Sequence, residues 1–339
     1  MTLSKKPIHL IAAGDLLIHD AIIQSAGDAS GDGYDFKPMF QYVKDLIRNS
    51  DIAICNLETT ISGKNHGYRG YPEFNAPEEL VDAIKECGFT VISTANNHAV
   101  DYGEKGICAT LDAVRRRGLY GIGTSDSPDP DRRNLILDFG FVKVGLNAYT
   151  YGTNEHYVPK DKPWMINMID FDLFGRDVVN MRRRGAGLIV LGLHAGEEYL
   201  TMPDKDQVSY VGKMRDLGVD IILGNHPHIV QPAIEDPEGN FYIIYSIGNL
   251  LSNQRQDLCD TGVILDIEIG EKGGRGRIKE VTYHPTYVHR WEEGGKFQYR
   301  IVPLEKYKEI GERLPEFPFE KSEMMLRHVY SHVKHKVEW

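Results

Sequence analysis

The chain has 339 residues, 41% hydrophobic and 26% charged, the make-up of a folded globular protein and not of a disordered one. A net charge of −10 speaks against nucleic acid as a partner, because phosphate neutralisation needs a basic surface. Cys55, Cys87, Cys108 and Cys259 show no CxxC spacing and read as reduced thiols, not as disulfides or zinc ligands.

The first apolar run, 7–13, reads as a strand ending in Gly14-Asp15. Asp15 interrupts it too early for a signal h-region or a membrane span. The chain as given is therefore expected to be soluble, and cytoplasmic by lack of a signal. An anchor removed upstream of Met1 would make it extracytoplasmic and membrane-attached. A helix over 38–48 and a strand over 51–55 finish in Asn56-Leu57-Glu58. Helix 78–87 leads through Gly88 into strand 90–93 and then Ala95-Asn96-Asn97-His98. Helix 176–184 leads through Gly185 into strand 188–191 and then His194-Ala195-Gly196-Glu197-Glu198. Helix 205–217 leads through Gly218 into strand 219–223 and then Gly224-Asn225-His226-Pro227-His228.

Helices alternating with nearly all-apolar strands predict a parallel sheet covered on both faces. Ligands bind outside the carboxyl ends of such strands, so five polar clusters are expected to meet in one crevice. Beyond them, 241–247, 262–269, 277–283 and 297–303 read as antiparallel strands of a second sheet, and 318–335 as an amphipathic helix. The runs Arg115 to Arg117 and Arg182 to Arg184 lie late in helices, where solvated cations complement the helix C-terminus. No linker divides the chain, so one domain over 1–339 is expected, with a core of about 8–305.

Two imidazoles at alternate positions in His226-Pro227-His228 can point nitrogen ligands into a metal site, with the proline stiffening the turn. Asn97-His98 offers a neutral oxygen beside a group able to move a proton, although an N-cap would explain the asparagine equally well. Asp101 shapes the following turn and joins His98 as a catalytic candidate. Glu58 ends an apolar strand, where an unpaired carboxylate is costly unless a cation or donors meet it. His194 occupies the same place on its own strand; of Glu197 and Glu198, one reads as a solvated loop acid and orienting His194 is an equal reading for the other. With Asp15, these donors suit Mn, Fe, Zn or Ni. P-loop, GxSxG and dinucleotide-binding signatures are absent from the sequence.

The order Gly14-Asp15, Asn56-Leu57-Glu58, Ala95-Asn96-Asn97-His98 with Asp101 and Gly103, His194-x-Gly-Glu-Glu-Tyr199, Gly224-x-His-Pro-His228 with Gln231-Pro232, and Ser246-x-Gly-Asn249 resembles the CapA family. These are capsule or poly-γ-glutamate synthesis proteins related to calcineurin-like metallophosphatases, and the resemblance spans roughly 8–290. It implies a four-layer αββα sandwich of the metallophosphatase type. It also implies that Asp15, Glu58, Asn97, His194, His226 and His228 are metal ligands and that His98 is the acid/base.

Two departures from the metallophosphatase pattern leave open whether one or two divalent ions are held: Leu17 stands where a His is usual, and Glu58 replaces an Asp. His19 is the candidate to compensate. The implied chemistry is hydrolysis by a metal-bound hydroxide, on a phosphoester or on a poly-γ-glutamate or capsule-type polymer. The alternative is a non-catalytic protein that binds or assembles capsule polymer on the same scaffold. Arg69, Arg255, Glu198, Asn249 and His19 are the candidates for meeting an anionic small-molecule or polymer substrate.

Overall fold

The computed structural model describes residues 6–28 and 33–333. Its strands are β1 (Ile8–Leu16), β2 (Ile52–Leu57), β3 (Val91–Ser93), β4 (Tyr120–Ile122), β5 (Leu135–Asp138), β6 (Lys143–Thr150) and β7 (Ala186–His194). They continue as β8 (Ile221–Asn225), β9 (Ala233–Glu235), β10 (Tyr242–Ile244), β11 (Asn249–Leu251), β12 (Thr261–Lys272), β13 (Arg275–Glu293) and β14 (Lys296–Pro303). Among the described residues they form two sheets. One runs β14-β13-β12-β1-β2-β3-β4, with β11 also paired to β1, and the other runs β5-β6-β7-β8-β10-β9.

Strand parity builds the layers. In β1, Leu10 and Ala12 enter the apolar core between the sheets, whereas Ile11 and Ala13 face the helices outside. In β7, Leu188 and Val190 enter the same middle core while Ile189 and Leu191 pack under helices Phe171–Arg183 and Lys205–Asp216. A strand buried on both faces shows no polar alternation. The result is the expected αββα sandwich.

Four sequence expectations need correction. The five polar clusters come from two sheets and not one: β1, β2 and β3 belong to the first, β7 and β8 to the second. The last third does not form a sheet of its own. Tyr242–Ile244 pairs in parallel with β8, while β12 pairs antiparallel with β1 and carries β13 and β14 with it. Segment 38–48 is broken into a 3₁₀ turn, Lys37–Phe40, started by Pro38, and a short helix, Lys44–Arg48.

The arginine runs are not merely solvated. Arg117 Nε lies 2.7 Å from Asp82, and Arg182 Nη2 lies 2.6 Å from buried Asp220, which ties helix Phe171–Arg183 to the approach of β8. All four cysteines are free thiols, three of them buried. The last helix is Phe319–Val333, and 334–335 lie outside the described residues. No helix among the described residues is long and apolar enough to cross a membrane.

Candidate metal centre

Strand register brings the polar ends together. Asp15 stands beside Asn56 on β2 and Asn249 on β11, and His194 beside Asn225 on β8. Close backbone approach permits this. A methyl on Gly14 would lie 1.8 Å from the Gly248 carbonyl oxygen, and one on Gly224 would lie 2.0 Å from that of Tyr245. His226 and His228 both hold left-handed backbone, φ 99° and 60°. Such strain persists only where the surrounding structure enforces it, and here it aims both rings inward around Pro227.

Asp15 is fully buried. Its Oδ1 accepts from Asn56 Nδ2 at 2.7 Å, and its Oδ2 lies 3.2 Å from His228 Nδ1. His194 Nε2 is 2.8 Å from Asn97 Oδ1, and its Nδ1 is 3.3 Å from Asn56 Nδ2. Glu58 is also fully buried, yet neither of its carboxylate oxygens has a hydrogen-bond partner among the described residues. Its Oε1 stands 3.5 Å from His194 Nε2 and 3.9 Å from His228 Nε2. Two donor sets each gather ligand atoms within 4.8 Å: Glu58 with His226 and His228, and Asp15 with Glu58 and His194. Glu58 belongs to both.

The electrostatics reflect an excess of buried negative charge. Burial opposes a charged ring at His228, but Glu58 and Asp15 outweigh it and lift the pKa to about 9. Burial would raise the Asp15 carboxyl, and His228 nevertheless holds it below the ordinary value. His226, buried and facing other imidazoles, is pushed well down and stays neutral. Its Nδ1 is buried without a partner among the described residues. An orphaned carboxylate among imidazole nitrogens and amide oxygens is a donor set that a divalent cation fits.

His98 adjoins this cluster, with its Nδ1 2.9 Å from Asp101 Oδ2 and its ring edge-on to Phe74 at 4.6 Å. A carboxylate only accepts, so Asp101 fixes the proton on Nδ1 and leaves Nε2 free to act. Asp101 is itself held by the Phe74 backbone N–H at 2.7 Å.

The structure thus gathers Asp15, Glu58, Asn97, His194, His226 and His228 with His98 and Asp101. The substrate candidates are placed differently. Asn249 is fully buried and faces His228 Nδ1 at 3.1 Å. His19 is part-buried, with its Nδ1 3.0 Å from the Leu17 carbonyl, and burial pushes its pKa down to about 4. Glu198 lies at the edge as a hydrogen-bond partner of Tyr199. Asn56 and Asn97 orient His194, so a glutamate does not. Arg69 reaches Glu73 at 3.6 Å on an exposed loop, and Arg255 holds Asn253. Sequence reasoning missed Asn56 as a site residue, although it sits two positions before Glu58. It also missed Phe74 and Tyr151, whose ring lies 4.6 Å from that of His226, because their loops carry no periodic signal.

The model of the bacterial capsule synthesis protein PGA_cap matches residues 9–254. The chain belongs to the PGA_cap family. The family match contains every residue of the centre from Asp15 to Asn249 and ends well short of the 290 expected from the motifs. Among PGA_cap relatives, the PGA biosynthesis protein CapA of Bacillus subtilis is 29% identical over 254 residues, covering 74% of this chain and 65% of its own. The capsule biosynthesis protein CapA of Bacillus anthracis is 31% identical over 248 residues, covering 69% and 58%. The chain therefore spans less than two thirds of the length of these relatives. A Staphylococcus aureus protein assigned as a 5′-nucleotidase shares the fold, with TM-score 0.53 at 16% identity, over 82% of this chain and 54% of that one. The family membership and the metallophosphatase-type sandwich expected from the motifs are both borne out.

Proposed function

We propose that this PGA_cap chain is a metal-dependent hydrolase of an anionic substrate, a phosphoester or a poly-γ-glutamate or capsule-type polymer. Glu58 carries the reading: a fully buried carboxylate with both oxygens unpartnered, shared by two sets of donor groups. Asp15, Glu58, Asn97, His194, His226 and His228 would hold one or two divalent ions. When bound, such a cation acidifies water and offsets negative charge developing on the substrate.

The rest is work for the chain. Asp101 positions His98 through Nδ1, and His98, once its Nε2 has also taken up a proton, passes that proton to the leaving group and returns to the ring protonated on Nδ1 alone. Phe74 supports both, through its ring on His98 and its backbone N–H on Asp101. Tyr151 covers His226 and limits water at that side. The names of the two Bacillus relatives support a place in capsule or poly-γ-glutamate biosynthesis.

A second reading, polymer binding without hydrolysis, is favoured by Leu17, a 3% exposed apolar side chain where metallophosphatases carry a His. Metal analysis of the purified protein decides, together with chelator-sensitive hydrolysis of p-nitrophenyl phosphate and γ-glutamyl oligomers by wild type and His98→Ala. Bound metal with activity lost in the variant is expected. Metal-free, inactive protein overturns the hydrolase, and oligomer binding without turnover supports the second reading.

A further inference from the structure

Beside the centre, the chain concentrates positive charge that no carboxylate among the described residues pairs with. Arg255 Nη2 and Arg290 Nη1 both donate to Asn253 Oδ1, at 2.9 and 3.2 Å, and the Tyr299 hydroxyl donates to the same oxygen at 2.8 Å. One amide oxygen has two lone pairs, so three donor residues overload it. Neither guanidinium has an ion-pair partner among the described residues, although the chain as a whole carries −10. Asp260, which attracts Arg255 through space, is held by Lys321 at 2.5 Å. Arg255 is exposed, and Arg290 is half-buried with its guanidinium 4.2 Å above the Phe297 ring. The two like charges share the Asn253 oxygen and the Tyr299 hydroxyl as neutral acceptors; they repel, and a bound anion relieves that repulsion.

The pair is wired to the centre by consecutive residues. Gln254 Oε1 accepts from Asn249 Nδ2 at 2.8 Å, the Asn253 backbone N–H faces His19 Nδ1 at 3.2 Å, and Asn249 faces His228. Arg255, Arg290 and Tyr299 all lie beyond the family match, which ends at 254.

We propose that Arg255 and Arg290 form an oxyanion subsite next to the metal centre, which grips a carboxylate or phosphate on the part of the substrate that extends past the reacting group. This rests on the hydrolase reading for its substrate, but binding at the pair does not need turnover. Arginine forks match both oxyanions in a bidentate way. A repeating polyanion suits the layout, because one group can sit at the centre while the next reaches the pair.

Calorimetric titration of the full chain tests it, with three probes: γ-linked pentaglutamate, the same oligomer with α-carboxamides, and inorganic phosphate. Wild type should bind the acid oligomer, phosphate, or both, and should not bind the amide. Arg255→Gln/Arg290→Gln should weaken the bound oxyanion at least tenfold with thermal midpoint and metal content unchanged. Arg255→Gln alone, at the exposed position, should weaken it measurably and guards against misfolding of the double variant. Preference for the acid oligomer assigns a carboxylate, and preference for phosphate assigns a phosphoryl group. Equal binding by wild type and the double variant, or equal binding of acid and amide oligomers, overturns the subsite. Glu58→Gln separates the two readings, since oxyanion binding kept without hydrolysis upholds the subsite whether or not the hydrolase reading survives.

Discussion

Glu58→Gln is the most diagnostic single change, because it removes a charge and almost no volume. In the metal-free chain the Glu58 carboxylate is fully buried with both oxygens unpartnered. A buried polar group left unsatisfied costs about 1–3 kcal/mol, and a charge costs more. Attraction from His194 and His228, at 3.5 and 3.9 Å, offsets part of that, so a gain of about 1–3 kcal/mol on neutralisation is expected. Unfolding entropy scales to about 0.7 kcal/mol/K for a chain of 339 residues, which makes the gain about 1.5–4 °C in Tm. Metal acts the other way. At 1,000 times its Kd an ion stabilises wild type by about 4 kcal/mol, about 6 °C, and the variant should lose most of that increment. Thermal unfolding of chelator-stripped and metal-loaded samples reads both terms. A stripped variant that melts below wild type and keeps the full metal increment would refute the reasoning, since the carboxylate would then be satisfied by the protein.

His98→Ala should lower turnover about 10²–10⁴-fold with metal content unchanged, and Asp101→Asn should reproduce about 10–100-fold of that by releasing the ring. Steady-state kinetics beside metal analysis checks both. Gly224→Ala should cost at least about 3 kcal/mol, because its methyl would meet the Tyr245 carbonyl oxygen at 2.0 Å. Gly212→Ala, mid-helix with open space around the new methyl, should instead stabilise by about 0.5–1 kcal/mol, and chemical denaturation compares the two. Arg182→Ala should cost about 2 kcal/mol, measured the same way. It strands the Asp220 carboxylate, which among the described residues keeps the Ile189 N–H at 2.6 Å and the more distant Arg275 charge.

That these polar side chains would come together was easier to read than which sheet each strand joins, for a physical reason. Asp15, Glu58, His194, His226 and His228 stand out because each ends an apolar strand with a group that has no packing use there. Which sheet a strand joins leaves no such mark. Leu10 and Val190 face the same middle core from opposite sheets, and each strand simply reads as apolar on both faces. Helix Phe171–Arg183 starts five residues before the expected 176, because Gly175 suggests a break that the Asp170 cap overrides. The orientation of His194 depends on Asn56 and Asn97, which reach it across the gap between sheets.

Leu17 shows how packing and chemistry bear on the number of ions. Its backbone N–H donates to the Leu251 carbonyl at 2.9 Å, so β1 and β11 are joined at that point and the apolar side chain is sealed in. A ligand at 17 is thereby replaced by core. His19, two residues on, cannot substitute through Nδ1, which faces the Leu17 carbonyl and the Asn253 N–H. The donors near Asp15 are then Asn56, His194 and His228, while His226 and His228 share Glu58 with them from the other side. Because Glu58 is common to both sets, the two sets would hold separate ions only if that one carboxylate served both, whatever β1 supplies.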